Sequence, residues 1–125
     1  MSKRVLIFGT FDGFHEGHKF VVQEAAKKGS ELVVAVARDE HVRTLKNKEP
    51  RNNEQDRMNR VSEDKHVTRT VLSDEILGTY RILDEVQPDL IALGFDQVAL
   101  KEDLSRWMLE QNRHIPIETL DVFKK

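Results

Sequence analysis

The sequence predicts an α/β fold in which helices cover both faces of a parallel sheet. Short apolar runs alternate with segments of helical periodicity along the 125 residues, as in chains built from β/α units. The first run, residues 5–8, is apolar without interruption, as expected of a strand buried on both faces. Neither an internal repeat nor a Ser/Gly-rich linker divides the chain. We therefore expect one domain over residues 1–125.

Each predicted strand is a short run rich in apolar and β-branched residues, bounded by polar or turn residues. The five strands are expected at residues 5–8, 32–37, 68–72, 90–93 and 115–120. The helices between them, identified by apolar residues at helical spacing, are expected at residues 18–28, 40–45, 55–64, 76–86 and 101–112.

Local signals mark several of these boundaries. The first helix should begin near Gly17 and end near Lys28, where a cationic turn precedes a glycine. Asp74 and Glu75 fit the acidic first turn of the fourth helix. Residues 47–55 form one long polar loop, and loops of that kind often carry function.

The segment between the first strand and the first helix carries the strongest functional signal. Residues 9–18 read Gly-Thr-Phe-Asp-Gly-Phe-His-Glu-Gly-His, with His15 and His18 on either side of Gly17. Residues three apart in a first helical turn project toward one side, where free backbone N–H groups and the helix dipole attract anions. Gly9 and Gly17 lack a Cβ that would keep a nucleotide away from the backbone. We interpret residues 9–18 as a phosphate site.

Three better-known motifs do not fit this segment. A Walker loop has Lys-Ser or Lys-Thr after its last glycine, whereas this chain has His18 and Lys19 there. The dinucleotide fingerprint needs Gly-x-Gly-x-x-Gly, but the glycines fall at positions 9, 13 and 17. Zinc-protease helices space their histidines four apart, not three. We predict no metal site formed by the protein itself. The alternative to a phosphate site is that His15 and His18 are simply two solvated loop residues. The order of strand, glycines and helix around them disfavours that alternative.

Composition excludes several classes of partner. The net charge is −2 with both signs well represented, so we expect neither nucleic acid nor an anionic membrane as a partner. The chain has no cysteine, which is compatible with a reducing compartment. No apolar run approaches the roughly 20 residues that span a bilayer, and the first residues show no signal-peptide pattern. These features predict a cytoplasmic protein.

Residues 9–18 resemble the signature of the nucleotidyltransferase superfamily that includes glycerol-3-phosphate cytidylyltransferase and the archaeal FAD synthases. Residues 32–39 are similar to its second strand, residues 46–50 to its basic loop, and residues 54–57 to the start of its third helix. Leu-Gly-Phe-Asp-Gln at residues 93–97 is close to the Leu-Gly-Tyr-Asp-Gln of the FAD synthase branch.

The resemblance implies a Rossmann-like, doubly wound, five-stranded sheet with strand order 3-2-1-4-5. In that order the first and fourth strands lie side by side where the strand order reverses. Ligands of open α/β sheets bind at such a point, outside the carboxyl ends of the two strands. Residues 10–18 leave the first strand and residues 94–97 leave the fourth, so we expect both segments to face one crevice.

The resemblance also implies transfer of a nucleotidyl group from ATP or CTP to a small phosphate ester, with release of pyrophosphate. Mg²⁺ would accompany the nucleotide, and relatives are commonly homodimers. FMN adenylylation is the first hypothesis, glycerol 3-phosphate cytidylylation the second, and a nucleotide-binding module without turnover the third. The third rests on residues 121–125, which contain no Ser/Thr-rich segment of the kind that relatives use for the outer phosphates. It would discriminate poorly between a nucleoside triphosphate and the diphosphate.

The site residues fall into three sets. Catalytic roles are expected of His15, His18 and Lys46. Nucleotide binding is expected of Gly9, Thr10, Phe11, His15, Glu16, Gly17, His18, Gly94 and Asp96. Contacts with phosphates or the acceptor are expected of Asp12, Lys48, Arg57, Arg60 and Gln97. Alternatives stay open for some of these residues: orientation of the loop for Asp12, ordinary loop charges for Lys46 and Lys48, and a solvated helix face for Arg57 and Arg60. His41, His66 and His114 lack partners at recognisable spacing and are expected at the surface or in loops.

Overall fold

The computed structural model describes residues 3–121 of the chain. Its elements in chain order are β1 (Arg4–Gly9), α1 (Glu16–Ala26), β2 (Glu31–Val36), α2 (Asp39–Lys46), α3 (Glu54–Ser62), β3 (Arg69–Leu72), α4 (Arg81–Val86), β4 (Leu90–Leu93), α5 (Val98–Glu110) and β5 (Ile117–Thr119). The strands form one parallel sheet in the order β3-β2-β1-β4-β5. The predicted fold class and strand order are confirmed. Residues 122–125, which carry most of the expectation about the terminal segment, lie outside the described residues.

Helices cover both faces of the sheet because side chains alternate between the two faces along each strand. Val5 and Ile7 of β1 belong to a buried cluster that includes Val22 of α1 and Val61 of α3. Leu6, between them, belongs to a second cluster formed with α4 and α5. Each face of the central strand is therefore shielded from water, which explains its continuous apolar sequence.

The fourth helix begins later than predicted. The apolar pattern predicts a helix from Ile76, but α4 begins at Arg81, because Gly78 and Tyr80 adopt φ values of +86° and +49°. A left-handed backbone does not continue a right-handed helix. Asp74 lies outside the helix, where its Oδ1 accepts a hydrogen bond of 2.9 Å from the backbone N–H of Ile82. The acidic residue thus stabilises the start of α4 from a distance in sequence.

His41 is buried, not exposed as expected. It lies in α2 with 6% of its surface accessible, and its Nε2 lies 3.1 Å from the carbonyl oxygen of Glu75. Its Nδ1 has no partner within residues 3–121. His66 is half-buried in the segment between α3 and β3, and His114 is exposed. Among the described residues no helix is both long and apolar enough to cross a bilayer.

Candidate active site

The pairing of β1 with β4 ends before the carboxyl ends of the two strands, where the sequence predicts a crevice. All six residues of β1 pair with β2, whereas β1 and β4 pair only through Val5 with Leu90 and Leu6 with Ile91. The two strands therefore separate toward their carboxyl ends, at the point where the strand order reverses. The segments that follow them, residues 10–15 and 94–97, leave from this edge as expected.

Two imidazoles form a capping box at the start of α1. His15 is the N-cap residue, and its Nδ1 accepts a hydrogen bond of 3.1 Å from the backbone N–H of Gly17. The backbone N–H of His15 donates in turn to Nδ1 of His18 over 3.2 Å. In most capping boxes a Ser or Thr and a Glu or Gln make these contacts. The two rings stack with centroids 3.7 Å apart.

The capping bonds fix the tautomer of each ring. A backbone N–H only donates, so Nδ1 of each imidazole is an acceptor, and in a neutral ring the proton is on Nε2. Burial lowers the pKa of His18 to about 4, with further lowering by the nearby charges of His15 and Lys46, against an opposite effect of Asp12. His18 is therefore neutral near pH 7 and has one N–H group, at Nε2, with which to donate to a phosphate oxygen.

Aromatic contacts hold the ring of His18. Phe11 meets it edge-on at a centroid distance of 5.4 Å, and Phe14 stacks over it at 6.2 Å. Phe11 is only 4% exposed and belongs to the core. The Phe11 side chain is thus part of the core, and the expected contact of Phe11 with the nucleotide stays a prediction. Sequence reasoning gave no role to Phe14, although its position next to His15 was a signal.

Gly9 makes room for a protein side chain, not for a ligand. A Cβ at Gly9 would lie 2.6 Å from the ring of Phe11, closer than two carbon atoms can approach. The Phe11 ring therefore gives a packing reason for glycine at this position, and the expected contact of Gly9 with the nucleotide stays a prediction. Gly17 contributes its N–H to the cap, and Glu16 is exposed as the first residue of α1. Their proposed contacts with the nucleotide stay predictions.

Lys46 brings a positive charge to the imidazoles. It is the last residue of α2, and it is close enough to His18 to lower the pKa of that ring. Asn47 then takes a left-handed conformation, with φ of 52°, and turns the chain into the polar loop. Lys48 is exposed and has no hydrogen bond or ion pair within residues 3–121. Its phosphate contact stays a prediction.

Asp12 anchors the polar loop. Its two carboxylate oxygens accept hydrogen bonds from the backbone N–H of Arg51 at 2.7 Å, and from the backbone and side-chain N–H groups of Asn52 at 3.1 and 2.9 Å. Desolvation raises the pKa of Asp12, but these hydrogen bonds outweigh it and hold the pKa below its usual value. An ionised carboxylate so engaged would repel a phosphate. This geometry supports the alternative that Asp12 orients the loop.

Arg57 is occupied by partners within the protein, contrary to the expectation that it contacts a phosphate. Its side chain is fully buried. It lies among backbone carbonyl groups, and buried carbonyl groups require hydrogen-bond donors. It donates to the carbonyl oxygens of Asn52, Thr10 and Ala37 at 3.0, 3.0 and 2.7 Å. It also pairs with Asp39 at 2.6 Å. Arg57 thus ties the ends of β1 and β2 to the polar loop, and Thr10 is held through its backbone.

Gln97 is likewise occupied by the protein. Its Nε2 donates to the carbonyl oxygen of Phe8 over 3.0 Å, and its Oε1 accepts from the backbone N–H of Gly94 over 2.8 Å. It therefore bridges β1 and the end of β4 where the two strands no longer pair, instead of being free for the acceptor as expected. A Cβ at Gly94 would lie 3.0 Å from Oδ1 of Asp96. Asp96 is exposed, so its contact with the nucleotide stays a prediction.

Arg60 lies away from the imidazoles. It lines a groove of about 660 Å³ between α1 and α3, and neither His15 nor His18 contributes to that lining. The expectation that Arg60 neutralises the phosphates beside the imidazoles is therefore not supported by its position. Within residues 3–121, no group of three or more His, Cys, Asp or Glu side chains is arranged to hold a metal ion.

Comparison with known proteins agrees with this geometry. A family model described as cytidylyltransferase-like matches residues 6–118. The FAD synthase of Aciduliprofundum boonei is 46% identical over 94 residues, which cover 75% of this chain and 62% of that protein. The FAD synthase of Korarchaeum cryptofilum is 39% identical, with 98% of this chain and 84% of that protein covered. The FAD synthase of Methanopyrus kandleri is 43% identical, with 86% of this chain and 72% of that protein covered.

Solved structures show the same fold. A protein described as the lipopolysaccharide core biosynthesis protein from Thermoplasma volcanium superimposes with a TM-score of 0.90 at 34% identity, covering 99% of this chain and all of that one. Pantoate-beta-alanine ligase from Francisella tularensis, solved with beta-gamma ATP and beta-alanine, gives a TM-score of 0.69 at 9% identity, over 99% of this chain and 60% of that one. At that identity the second likeness concerns the fold alone.

Proposed function

Since this chain belongs to the cytidylyltransferase-like family and is an FAD synthase-like nucleotidyltransferase, we propose that it transfers the adenylyl group of ATP to FMN. An oxygen of the FMN phosphate attacks the α-phosphorus of ATP. A new P–O bond forms there, the bond from the α-phosphorus to the oxygen that bridges to the β-phosphorus breaks, and pyrophosphate leaves. The observation that carries the proposal is the pair of stacked imidazoles at the start of α1, beside the crevice.

The chain's residues would act by position and charge. A phosphate acceptor is already anionic near neutral pH, so the reaction requires no strong general base. Nε2 of His18, and less directly that of His15, would donate hydrogen bonds to oxygens of the reacting phosphates. Preorganised donors of this kind stabilise the charge that develops in a transition state. The ammonium group of Lys46 would neutralise the phosphates that leave.

We propose Mg²⁺ as the divalent cation of the reaction. Mg²⁺ is usually held by one or two carboxylates together with substrate phosphates. Asp12 does not fit as a ligand because its oxygens accept three hydrogen bonds from the polar loop. Asp96 is exposed at the crevice edge and fits better. When bound with the triphosphate, the cation would neutralise part of its charge.

The acceptor is tested by a screen of pyrophosphate release. ATP and CTP are each combined with FMN, glycerol 3-phosphate and a sugar phosphate. The sugar phosphate is included because one structural relative is named for lipopolysaccharide core biosynthesis. We expect turnover with ATP and FMN, and none above background in a His15→Ala/His18→Ala variant. Turnover only with CTP and glycerol 3-phosphate would establish the second hypothesis. Nucleotide binding without turnover for any pair would establish a binding module.

A further inference from the structure

A second groove lies on the outer side of α1. It occupies about 660 Å³ between α1 and α3, and residues 63–66, in the segment that leads toward β3, also line it. Small-molecule sites usually measure about 300 to 1,000 Å³. The reaction proposed above places no part of either substrate in this groove.

Three positive side chains line the groove from three different segments. Lys19 belongs to α1, Arg60 to α3, and Lys65 to the segment before β3. All three are exposed, and none of the three side chains makes a hydrogen bond or ion pair within residues 3–121. On the rest of the described surface, many basic side chains pair with carboxylates, as Lys27 does with Glu24 at 2.6 Å. Within the part of the chain that the structure describes, the three cations in the groove have no carboxylate partner.

The carboxylates in the groove do not neutralise these cations. Oδ1 of Asp64 accepts hydrogen bonds from the backbone N–H of His66 at 2.8 Å and contacts its Nδ1 at 2.9 Å. The carboxylate of Asp64 is thus already engaged by groups of its own loop. Glu63, the C-cap residue of α3, is the remaining acidic side chain of the lining. The lining therefore has three positive side chains and only one carboxylate, that of Glu63, that is not already engaged. This local excess of positive charge favours an anionic ligand.

Phe14 connects the groove to the imidazoles. Its ring lines the groove and also stacks over the ring of His18 with an interplanar angle of 19°. Its backbone has a positive φ of 33°, which is unfavourable for a side chain of this size. An occupant of the groove would therefore touch a side chain that contacts a catalytic ring.

We propose that this groove binds a phosphate group on Lys19, Arg60 and Lys65. Where the phosphate belongs to a phosphomonoester, the rest of that ligand would lie against Phe14. Guanidinium and ammonium groups are the side chains that bind phosphate most strongly, the first by paired hydrogen bonds and the second as a point charge. The ligand has two sources with the same chemistry: a phosphomonoester with an aromatic body, or free inorganic phosphate. The site is independent of the transfer reaction and exists whether or not the chain adenylylates FMN.

The test is a titration of the ¹⁵N-labelled full chain with inorganic phosphate, followed by NMR. We expect saturable shifts of the backbone amides of residues 19, 23 and 63–66. A Lys19→Gln/Arg60→Gln variant should bind phosphate at those amides at least tenfold more weakly. An Arg81→Gln/Lys101→Gln variant loses the same charge from α4 and α5 and should bind as the unmodified chain does.

FMN and riboflavin then distinguish the sources. Binding of FMN at these amides more tightly than inorganic phosphate, with riboflavin much weaker, would identify the phosphomonoester. Equal binding of FMN and phosphate would identify the free anion. The proposal is wrong if phosphate shifts only the amides of residues 13–18, or if the groove variant and the control variant lose affinity equally, since then the catalytic segment or the general field accounts for the binding.

Discussion

The chemistry of His18 depends on its surroundings more than on its residue type. An isolated histidine titrates near pH 6.5, but burial lowers the pKa of this ring to about 4, assisted by His15 and Lys46. The backbone N–H of His15 holds Nδ1 as an acceptor. The side chain is thus a fixed, neutral donor. A protonated ring would lose the bond at Nδ1 and with it the capping box.

Folding stability should therefore depend on the protonation of His18. The unfolded chain takes up this proton near pH 6.5, whereas the folded chain does so only near pH 4. Between these values the unfolded state binds more protons, so stability rises with pH across this window and is lost as the pH falls. Urea unfolding at pH 4 to 7 should show this slope, and a His18→Asn variant should lack most of it.

The exposed His114 provides the control for that measurement. A His114→Asn variant should keep the slope of the unmodified chain. In activity assays at pH 7, His18→Ala should lower turnover by ~10² to 10³, the usual cost of one preorganised donor, while His114→Asn changes it little. An unchanged slope in His18→Asn would show that the ring is not held neutral by the fold.

Secondary-structure elements meet at the site through buried connections. Arg57 of α3 contacts the ends of β1 and β2, the start of α2 and the polar loop. Because its side chain is fully buried, Arg57 does not belong to a solvated face of α3, which is the alternative considered for this residue. Because four elements share one guanidinium, a change at Arg57 should alter the crevice without touching any substrate.

Arg57→Met should destabilise the chain by about 3 to 5 kcal/mol, because it leaves three carbonyl groups and Asp39 without their donor. Arg57→Lys should restore little, since an ammonium group cannot donate in four directions from one plane. Urea unfolding measures both. Arg60→Met, on the exposed side of the same helix, is the matched control and should change stability by less than about 0.5 kcal/mol. Similar losses for the two variants would contradict the buried role of Arg57.

At the scale of the whole molecule, the sheet collects the functional groups at one edge. The net charge is −2, so no general field attracts a nucleoside triphosphate. Positive charge must therefore be local, and α2 ends with Lys46 at the imidazoles. Lys101 carries the same charge, but it lies on α5 and not at the imidazoles.

Lys46→Ala should raise the KM for the triphosphate and lower turnover, because it removes a charge close to the phosphates that leave. Lys101→Ala should change neither quantity. Steady-state kinetics at two salt concentrations would check this, since a diffuse field is weakened by salt far more than a close contact is. Equal effects of the two substitutions would mean that Lys46 acts only through the general field.

Local pattern alone predicts the strands and the position of the two imidazoles. Alternating apolar runs and helical periodicity predict every strand within two residues of its observed bounds. The His15 and His18 pair is predicted at the start of α1 because caps and dipoles depend on neighbours in sequence. The start of α4 is missed because Gly78 and Tyr80 take left-handed backbones, which the spacing of apolar residues does not predict.

The partners of single side chains are decided only by the tertiary structure. Arg57 donates to Thr10, 47 positions away, and Gln97 to Phe8, 89 positions away. In the sequence both residues have the pattern of exposed polar groups, and only the assembled sheet creates the buried carbonyl groups that they satisfy. Gly9 likewise serves the ring of Phe11, a packing contact that no spacing rule contains. Sequence thus determined the position of the His15 and His18 pair at the start of α1, because periodicity and caps are local, while burial decided which polar side chains remain free of partners in the protein.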